Sequence, residues 1–249
     1  MMDIQTHILP GFADGPQTIE ETIQIAQTAA DHGIDTIIAA PHVTRGTDRN
    51  ESEDILGVTE FLTNHIHQQG IALDIRPGQH ILMDTDVPAD LEHGLLLGLN
   101  ETKYVLLELP ADHLPPFALQ RLFDVQMSGY VPVIAHPETH PGIREQPGFL
   151  YDMVKNGALI QTDAASLSGN NGKRIKTFTR RMLNAHLVHL LASNTVSATT
   201  DQLAKVYQTL DESTAAMLRD NSEQLVHNRP IAKDAPSRIE TRGIGKLFR

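Results

Sequence analysis

The stretch Val131-Pro132-Val133-Ile134-Ala135-His136-Pro137-Glu138 sets the narrowest limits on what this chain can fold into. Val and Ile favour a pleated, buried strand. Pro137 cannot donate to a ladder, so the strand ends at about His136. A histidine at the C-terminal end of a buried parallel strand sits where α/β proteins build their sites. The pattern recurs along the chain. Asp3 to His7 ends in His7, Thr36 to His42 in His42, Tyr104 to Glu108 in Glu108, and Val188 to Asn194 in Asn194. Strand after strand delivers an imidazole, a carboxylate or an amide to one rim, which is how a barrel assembles a metal site.

Helical periods separate these strands. Thr18 and Glu21 have capping-box spacing, Ile19, Ile23, Ala26 and Ala30 recur at helical intervals, and Gly33 supplies a stop. Ser52–Gln69 places Ile55, Val58, Leu62 and Ile66 on one face. Further helices are expected near Ala89–His93, Pro116–Ser128, Phe149–Asn156, Lys173–Ala185, Asp201–Thr209, Thr214–Asp220 and Ser222–Val226. The strands between them are Asp3–His7, Thr36–Ala40, Ala72–Arg76, Tyr104–Leu109, the His136 strand, Ala158–Ala164 and Val188–Ser193. Seven strands alternating with helices predict parallel βα units closed into a slightly irregular barrel, with an open doubly wound sheet as the fallback. Ser166-Leu167-Ser168-Gly169 is expected to be a loop.

A length of 249 residues fits one such barrel. No internal repeat or linker divides it. The expected organisation is a barrel over 1–232 and a loosely ordered basic tail over 233–249, where Arg238, Arg242, Lys246 and Arg249 accompany a final Leu247-Phe248. The chain has no cysteine, so a metal would be held by His, Asp or Glu. A net charge of −11 argues against general nucleic-acid binding, which needs clustered Lys and Arg. No apolar run approaches the roughly 18–20 residues of a membrane span. A signal peptide is not expected, and the cytoplasm is the expected location.

Several segments together carry a family resemblance. They are Met2 to Pro10, Asp14-Gly15, Ala40-Pro41-His42, Pro77-Gly78-Gln79, Leu107-Glu108, Pro132 to Glu138, Ser166 to Gly169 and Ala192-Ser193. In order and spacing the chain resembles the bacterial tyrosine phosphatases of the polymerase and histidinol phosphatase (PHP) superfamily, which are associated with capsular and exopolysaccharide synthesis. The resemblance implies a distorted (β/α)7, TIM-like barrel and a trinuclear metal centre usually supplied with manganese. It also implies hydrolysis of phosphotyrosine on the tail of a cognate bacterial tyrosine kinase.

Carried over residue by residue, the implied metal ligands are His7, His42, His80, Glu108 and His136. The chain departs from the family pattern at four ligand positions. Gln5 stands at the first histidine of a His-x-His pair, and His80 at a carboxylate expected to bridge metals. Asn194 and Val196 stand where Ser-Asp-x-His would supply two more ligands. Thr139 replaces an arginine suited to gripping phosphate. One carboxylate among the ligands neutralises little of the roughly six charges of three divalent cations, so fewer than three ions, or none, are expected. Asp3, Asp14 and Asp163 are the candidates for compensation.

Two function classes follow. One is a metal-dependent protein-tyrosine phosphatase, which needs no side-chain nucleophile. The other is a catalytically degenerate pseudo-phosphatase that keeps the barrel as a binding module. A hydrolase of small phosphate esters needs the same altered ligands and gains nothing over the first. The expected partner is a phosphotyrosine protein, a homo-oligomer is left open, and the basic tail is a candidate contact for a membrane surface or a partner.

Overall fold

The computed structural model describes residues 1–12, 14–43, 51–83, 86–195 and 201–239. Nine strands occur among them: β1 (Met2–Thr6), β2 (Thr36–Ala39), β3 (His42–Val43), β4 (Asp74–Pro77), β5 (His80–Leu82), β6 (Tyr104–Glu108), β7 (Val131–Ala135), β8 (Leu159–Asp163) and β9 (Leu190–Ala192). All pairings are parallel, in the orders β1-β2-β4 and β3-β5-β6-β7-β8-β9.

Nine strands arise from the seven expected because two are broken. Ala40 and Pro41 separate β2 from β3, and Gly78 and Gln79 separate β4 from β5. Pro41 has no N–H to offer a ladder, although its carbonyl accepts from the His80 N–H at 3.0 Å. At Gly78 an added Cβ would lie 2.8 Å from Ile38 Cγ2 and 3.1 Å from Leu99 Cδ2, so the chain passes there only as glycine. Joined across these breaks, the strands form one ring. The last strand returns to the first through the His7 N–H on Thr195 O at 2.9 Å and the Asn194 N–H on Gln5 O at 3.0 Å. Asp3 Oδ1 fastens the same seam by accepting from the Ser193 N–H at 3.0 Å. The fold is therefore a distorted (β/α)7 barrel of the TIM-like kind.

Alternation along the strands sorts the apolar residues into two cores. Ile4, Ile38, Tyr104, Leu106, Val133, Ala135, Leu159, Leu190 and Ala192 cluster together with Leu99 and Leu225. Their neighbours Ile37, Val105, Leu107, Ile134, Ile160 and Leu191 pack instead with the surrounding helices. The first set fills the barrel as a packed interior. Glu108 continues the inward row of Tyr104 and Leu106, Asp163 that of Leu159 and Gln161, and Asn194 that of Leu190 and Ala192. Two-residue periodicity alone thus carries polar groups to the C-terminal mouth.

Beyond a short unexpected helix at Pro141–Glu145, local structure differs from expectation at three places. Ser166–Gly169 is not a loop, because Ala164–Ser168 forms a short helix closed by Gly169 at φ 101°. One helix, Glu212–Val226, replaces the two expected near Thr214–Asp220 and Ser222–Val226. Asn221 does not interrupt it, because its side chain is buried and donates to His189 O at 2.9 Å. The third concerns residues 233–239, which pack on the barrel instead of lying loose. Lys233 Nζ donates to Gly157 O at 2.9 Å and the Ser237 N–H to Ala185 O at 2.9 Å. Arg238 stacks 4.3 Å over the Tyr151 ring and reaches Asp152 at 3.1 Å, and Ile239 enters the outer core. Arg242, Lys246, Leu247-Phe248 and Arg249 lie outside the described residues. No described helix is long and apolar enough to cross a membrane.

Candidate metal centre

Four imidazoles and a carboxylate converge at the mouth. His42 stands at the start of β3 and His80 at the start of β5, immediately past the two strand breaks. Glu108 ends β6, while His7 and His136 follow β1 and β7. The His42 and His80 ring centres are 4.3 Å apart, His7 and His42 stack at 4.9 Å, and His80 meets His136 edge-on at 5.2 Å. Glu108 lies at the centre. Its Oε2 is 3.5 Å from His42 Nε2 and 3.7 Å from His80 Nε2, and its Oε1 is 3.9 Å from His136 Nε2. All five expected ligands are therefore together. Among the described residues two groups of three could hold an ion: His7, His42 and His80, or His80, Glu108 and His136.

Left-handed backbone helps to aim these side chains. His136 has φ 30°, Asn194 φ 49° and Asp14 φ 61°. His136 is one residue off the inward row of Val133 and Ala135, and its unusual φ turns the ring back toward Glu108. Non-glycine residues in this region cost of order 1 kcal/mol or more and concentrate at functional sites.

Hydrogen bonds from neighbours fix several ring orientations. Asp14 Oδ2 accepts from His42 Nδ1 at 2.7 Å, so the other nitrogen of that ring faces Glu108. The Thr139 hydroxyl spends its one proton on His136 O at 2.9 Å. Toward His136 Nδ1, at 3.3 Å, it therefore acts as acceptor, which leaves His136 Nε2 with its lone pair turned to Glu108. Thr139 thus acts as a positioning residue for His136.

The opposite side of the mouth is held by amides. Asn194 Nδ2 donates to Asp163 Oδ2 at 3.2 Å. Asn194 Oδ1 in turn accepts from Gln5 Nε2 at 3.1 Å and meets His7 Nε2 at 3.1 Å. Gln5 Nε2 also lies 3.2 Å from His80 Nδ1. Gln161 Nε2 donates to Asp163 Oδ1 at 3.1 Å, and Gln161 Oε1 accepts from the His136 N–H at 3.2 Å. The altered ligand positions Gln5 and Asn194 are therefore members of one network. Val196 lies outside the described residues. Of the compensating acids, Asp14 serves His42, Asp163 serves the amides and Asp3 serves the strand seam.

Burial and neighbouring charge divide the titrations. Burial lowers His80 well below the ordinary range, helped by His136 and His42, and burial brings His7 down to about 4. Burial also pulls on His42, but Glu108 and Asp14 outweigh it and raise that ring. Burial of Glu108 is likewise outweighed, by the His42 bond and the surrounding imidazoles, so its carboxyl is lowered. At neutral pH Glu108 is a carboxylate and His7 and His80 are neutral rings, the deprotonated state a divalent cation requires of its ligands. Buried Glu138 is pushed up to about 7 by burial and by Asp163 beside it.

The residues fit one cation but not three. Imidazole and carboxylate suit Mn, Fe or Zn. Nitrogen–oxygen gaps of 3.5–3.9 Å lie at or beyond the limit of a hydrogen bond and come near the spacing of about 3.0–3.4 Å between two ligands on one ion at about 2.1 Å. The second group, His7, His42 and His80, shares His80 with the first and contains no carboxylate, and the altered positions Gln5 and Asn194 are amides bonded to one another.

A family model described as capsular polysaccharide synthesis, CpsB/CapC, matches residues 1–230. The chain belongs to the CpsB/CapC family. Among its CpsB/CapC relatives is the tyrosine-protein phosphatase YwqE of Bacillus subtilis (strain 168), 38% identical over 254 aligned positions that cover 100% of this chain and 99% of YwqE. A second is the putative tyrosine-protein phosphatase CapC of Staphylococcus aureus, 29% identical over 95% of both chains. A crystal structure from work on YwqE of Bacillus subtilis and CpsB of Streptococcus pneumoniae, described as metal-dependent tyrosine phosphatases, superposes with a TM-score of 0.92. It is 37% identical and covers 97% of this chain and 100% of its own. A phosphotriesterase homology protein from Escherichia coli, at 10% identity and a TM-score of 0.59, shares the fold alone.

Sequence reasoning named the five residues that meet here but missed Thr139 as support for His136 and Gln161 as the joint between His136 and Asp163. Thr139 carried a signal, because a hydroxyl three residues after a strand-end histidine is within reach of that ring once the chain turns.

Proposed function

We propose that this chain is a divalent-metal-dependent phosphatase that removes phosphate from tyrosine side chains of proteins in capsule or exopolysaccharide synthesis. The single observation that carries it is the convergence of His42, His80 and His136 on Glu108, in a member of a family whose relatives above are tyrosine-protein phosphatases. Those relatives support the phosphatase over the degenerate binding module.

His7, His42, His80, Glu108 and His136 are the proposed metal residues, with manganese as the expected ion. A divalent cation bound there supplies Lewis acidity to phosphoryl oxygens and brings the pKa of water near neutrality. The chain's own groups set the stage for it. Asp14 and Thr139 hold His42 and His136 with Nε2 toward the centre, and Glu108 supplies the negative charge. Beside them is a pocket of about 90 Å³ whose lining includes Glu108, Leu109, Ala111, His136, Thr139 and Pro141. The tail of a bacterial tyrosine kinase is the expected substrate and the cytoplasm the expected location. The basic residues beyond 239 are the proposed contact with a membrane surface or partner.

The test is phosphate release from a phosphotyrosyl peptide in saturating Mn²⁺, with His136→Ala beside the parent. The expected result is turnover that EDTA abolishes and that falls at least about 100-fold in the variant. Parent activity equal to that of His136→Ala would overturn the proposal.

A further inference from the structure

We propose that the basic helix Lys173–Asn184, with the groove at its start, docks an acidic segment of the protein substrate beside the phosphotyrosine that enters the mouth. The proposal deepens the phosphatase reading and rests on it for what occupies the mouth.

Charge is divided unevenly along the chain. The net charge is −11, yet no Asp or Glu occurs between Asp163 and Asp201. Within that span the helix carries Lys173, Arg174, Lys176, Arg180 and Arg181. Phe178, Thr179 and Met182 bury one face of it, while Lys173, Arg174 and Arg180 stand exposed. None of these three side chains meets a carboxylate among the described residues, whereas Arg76, Arg121 and Arg238 each do. A protein of this net charge repels an acidic peptide over most of its surface. Screening within about 8–10 Å keeps the attraction local to the basic face.

A groove of about 570 Å³ opens at the start of the helix. Pro141, Arg144 and Glu145 line one side of it and residues 171–175 the other. Arg144, Lys173 and Arg174 thus set three cations against the carboxylate of Glu145. Arg144 donates to Glu138 O at 2.9 Å and also to Thr139 O. Carbonyls fix the guanidinium without neutralising it, so a carboxylate entering the groove meets a cation already oriented.

The groove adjoins the mouth. Pro141 lines it and also lines the pocket of about 90 Å³ that includes Glu108 and His136. The carbonyls that hold Arg144 belong to the turn Pro137–Thr139, which follows His136 directly. A peptide whose phosphotyrosine sits beside His136 therefore passes Pro141 and brings its flanking residues to Arg144, Lys173 and Arg174. An acidic bilayer also attracts exposed Lys and Arg, but a flat surface does not reach a half-buried guanidinium inside a groove. The geometry favours a peptide.

Two assays on the full chain with Mn²⁺ test this. The first compares kcat/KM for a phosphotyrosyl peptide flanked by Asp and Glu with that for its Asn and Gln counterpart. The second measures binding of the same two sequences, carrying a non-hydrolysable phosphonate, by fluorescence anisotropy. The parent is expected to prefer the acidic sequence at least about tenfold in both assays. In the double variant Lys173→Glu, Arg174→Glu the preference is expected to fall below about threefold. Lys173→Gln, Arg174→Gln removes the charges without reversing them and is expected to lower it as well. Lys155→Glu makes a charge change elsewhere, at the end of the helix Pro147–Lys155, and is expected to keep the parent's preference. Circular dichroism reports folding. No preference in the parent, an undiminished preference in the folded double variants, or an equal loss in Lys155→Glu would overturn the proposal. Sedimentation with phosphatidylserine vesicles covers the other occupant, and double variants that lose vesicle binding while keeping the peptide preference would assign the face to lipid. Acidic-peptide binding that the double variants weaken, without turnover in the parent, would refute the phosphatase reading and leave the docking face standing. Turnover without preference would do the reverse.

Discussion

Thr139→Val offers the sharpest test of how this centre is held. Valine matches threonine in shape, so the change removes one hydroxyl and leaves the packing alone. Two contacts are lost, the donation to His136 O at 2.9 Å and the acceptance at His136 Nδ1 at 3.3 Å. The His136 carbonyl keeps the Thr139 N–H at 3.0 Å, so the fold loses about 1 kcal/mol. For a chain of this size that lowers Tm by about 2–4 °C. The effect on metal is larger. Without an acceptor at Nδ1, the neutral ring is free to carry its proton on Nε2, where it cannot ligate. Loss of such outer partners costs about 10–100-fold in metal affinity, or about 1.4–2.8 kcal/mol. Competition of Mn²⁺ or Zn²⁺ against a chelating dye measures the affinity, and thermal unfolding without metal measures the fold. An affinity within about twofold of the parent, in a variant whose Tm has dropped as expected, would refute the idea that Thr139 fixes the histidine.

Three further outcomes are expected. Saturating Mn²⁺ at about 100 times its Kd adds about 2.7 kcal/mol and raises Tm by about 5–10 °C, reversed by EDTA; a Tm indifferent to metal would count against any tight site. Asp3 is pushed up to about 6 by burial and then by Asp163, against the hydrogen bonds from Ser193 and Gln5. A raised carboxyl stabilises the fold below about pH 4 and loses that contribution as pH rises through about 6, on the order of 3 kcal/mol. Asp3→Asn keeps an acceptor for both N–H groups, so urea unfolding at pH 4 and 7 should show a smaller fall in the variant; equal falls would show that Asp3 carries no such penalty. Ile239→Ala should cost about 2–3 kcal/mol and speed proteolysis of the C-terminal segment, since Ile239 belongs to the outer core; unchanged stability would mean the segment is anchored by the polar contacts of Lys233, Ser237 and Arg238.

Much of the barrel is legible in the sequence because local rules suffice for it. Alternation carries Tyr104 and Leu106 to Glu108, and a helical period in Ser52–Gln68 buries Ile55, Leu62 and Ile66. The strand breaks at Pro41 and Gly78 are less legible. A proline reads as an end, whereas here the strand resumes one residue later with His42 paired to His80. The packed segment 233–239 was hidden for a similar reason, since basic residues read as solvated while Arg238 spreads its guanidinium on Tyr151.

The site was legible as a list of residues that meet at the mouth but not as a network. Gln5 and Asn194 lie 189 residues apart, and nothing local in the chain says that two amides at ligand positions are bonded to each other. Read singly, each is a lost donor. Together with Asp163 they form a chain whose direction is set at one end, because a carboxylate accepts and Asn194 must then offer its NH₂. That choice passes to Gln5 and from Gln5 to His80. The centre therefore has two halves that meet inside one ring. His80 Nδ1 faces the amides and Nε2 faces Glu108, so what the amides do to one nitrogen decides whether the other can hold metal.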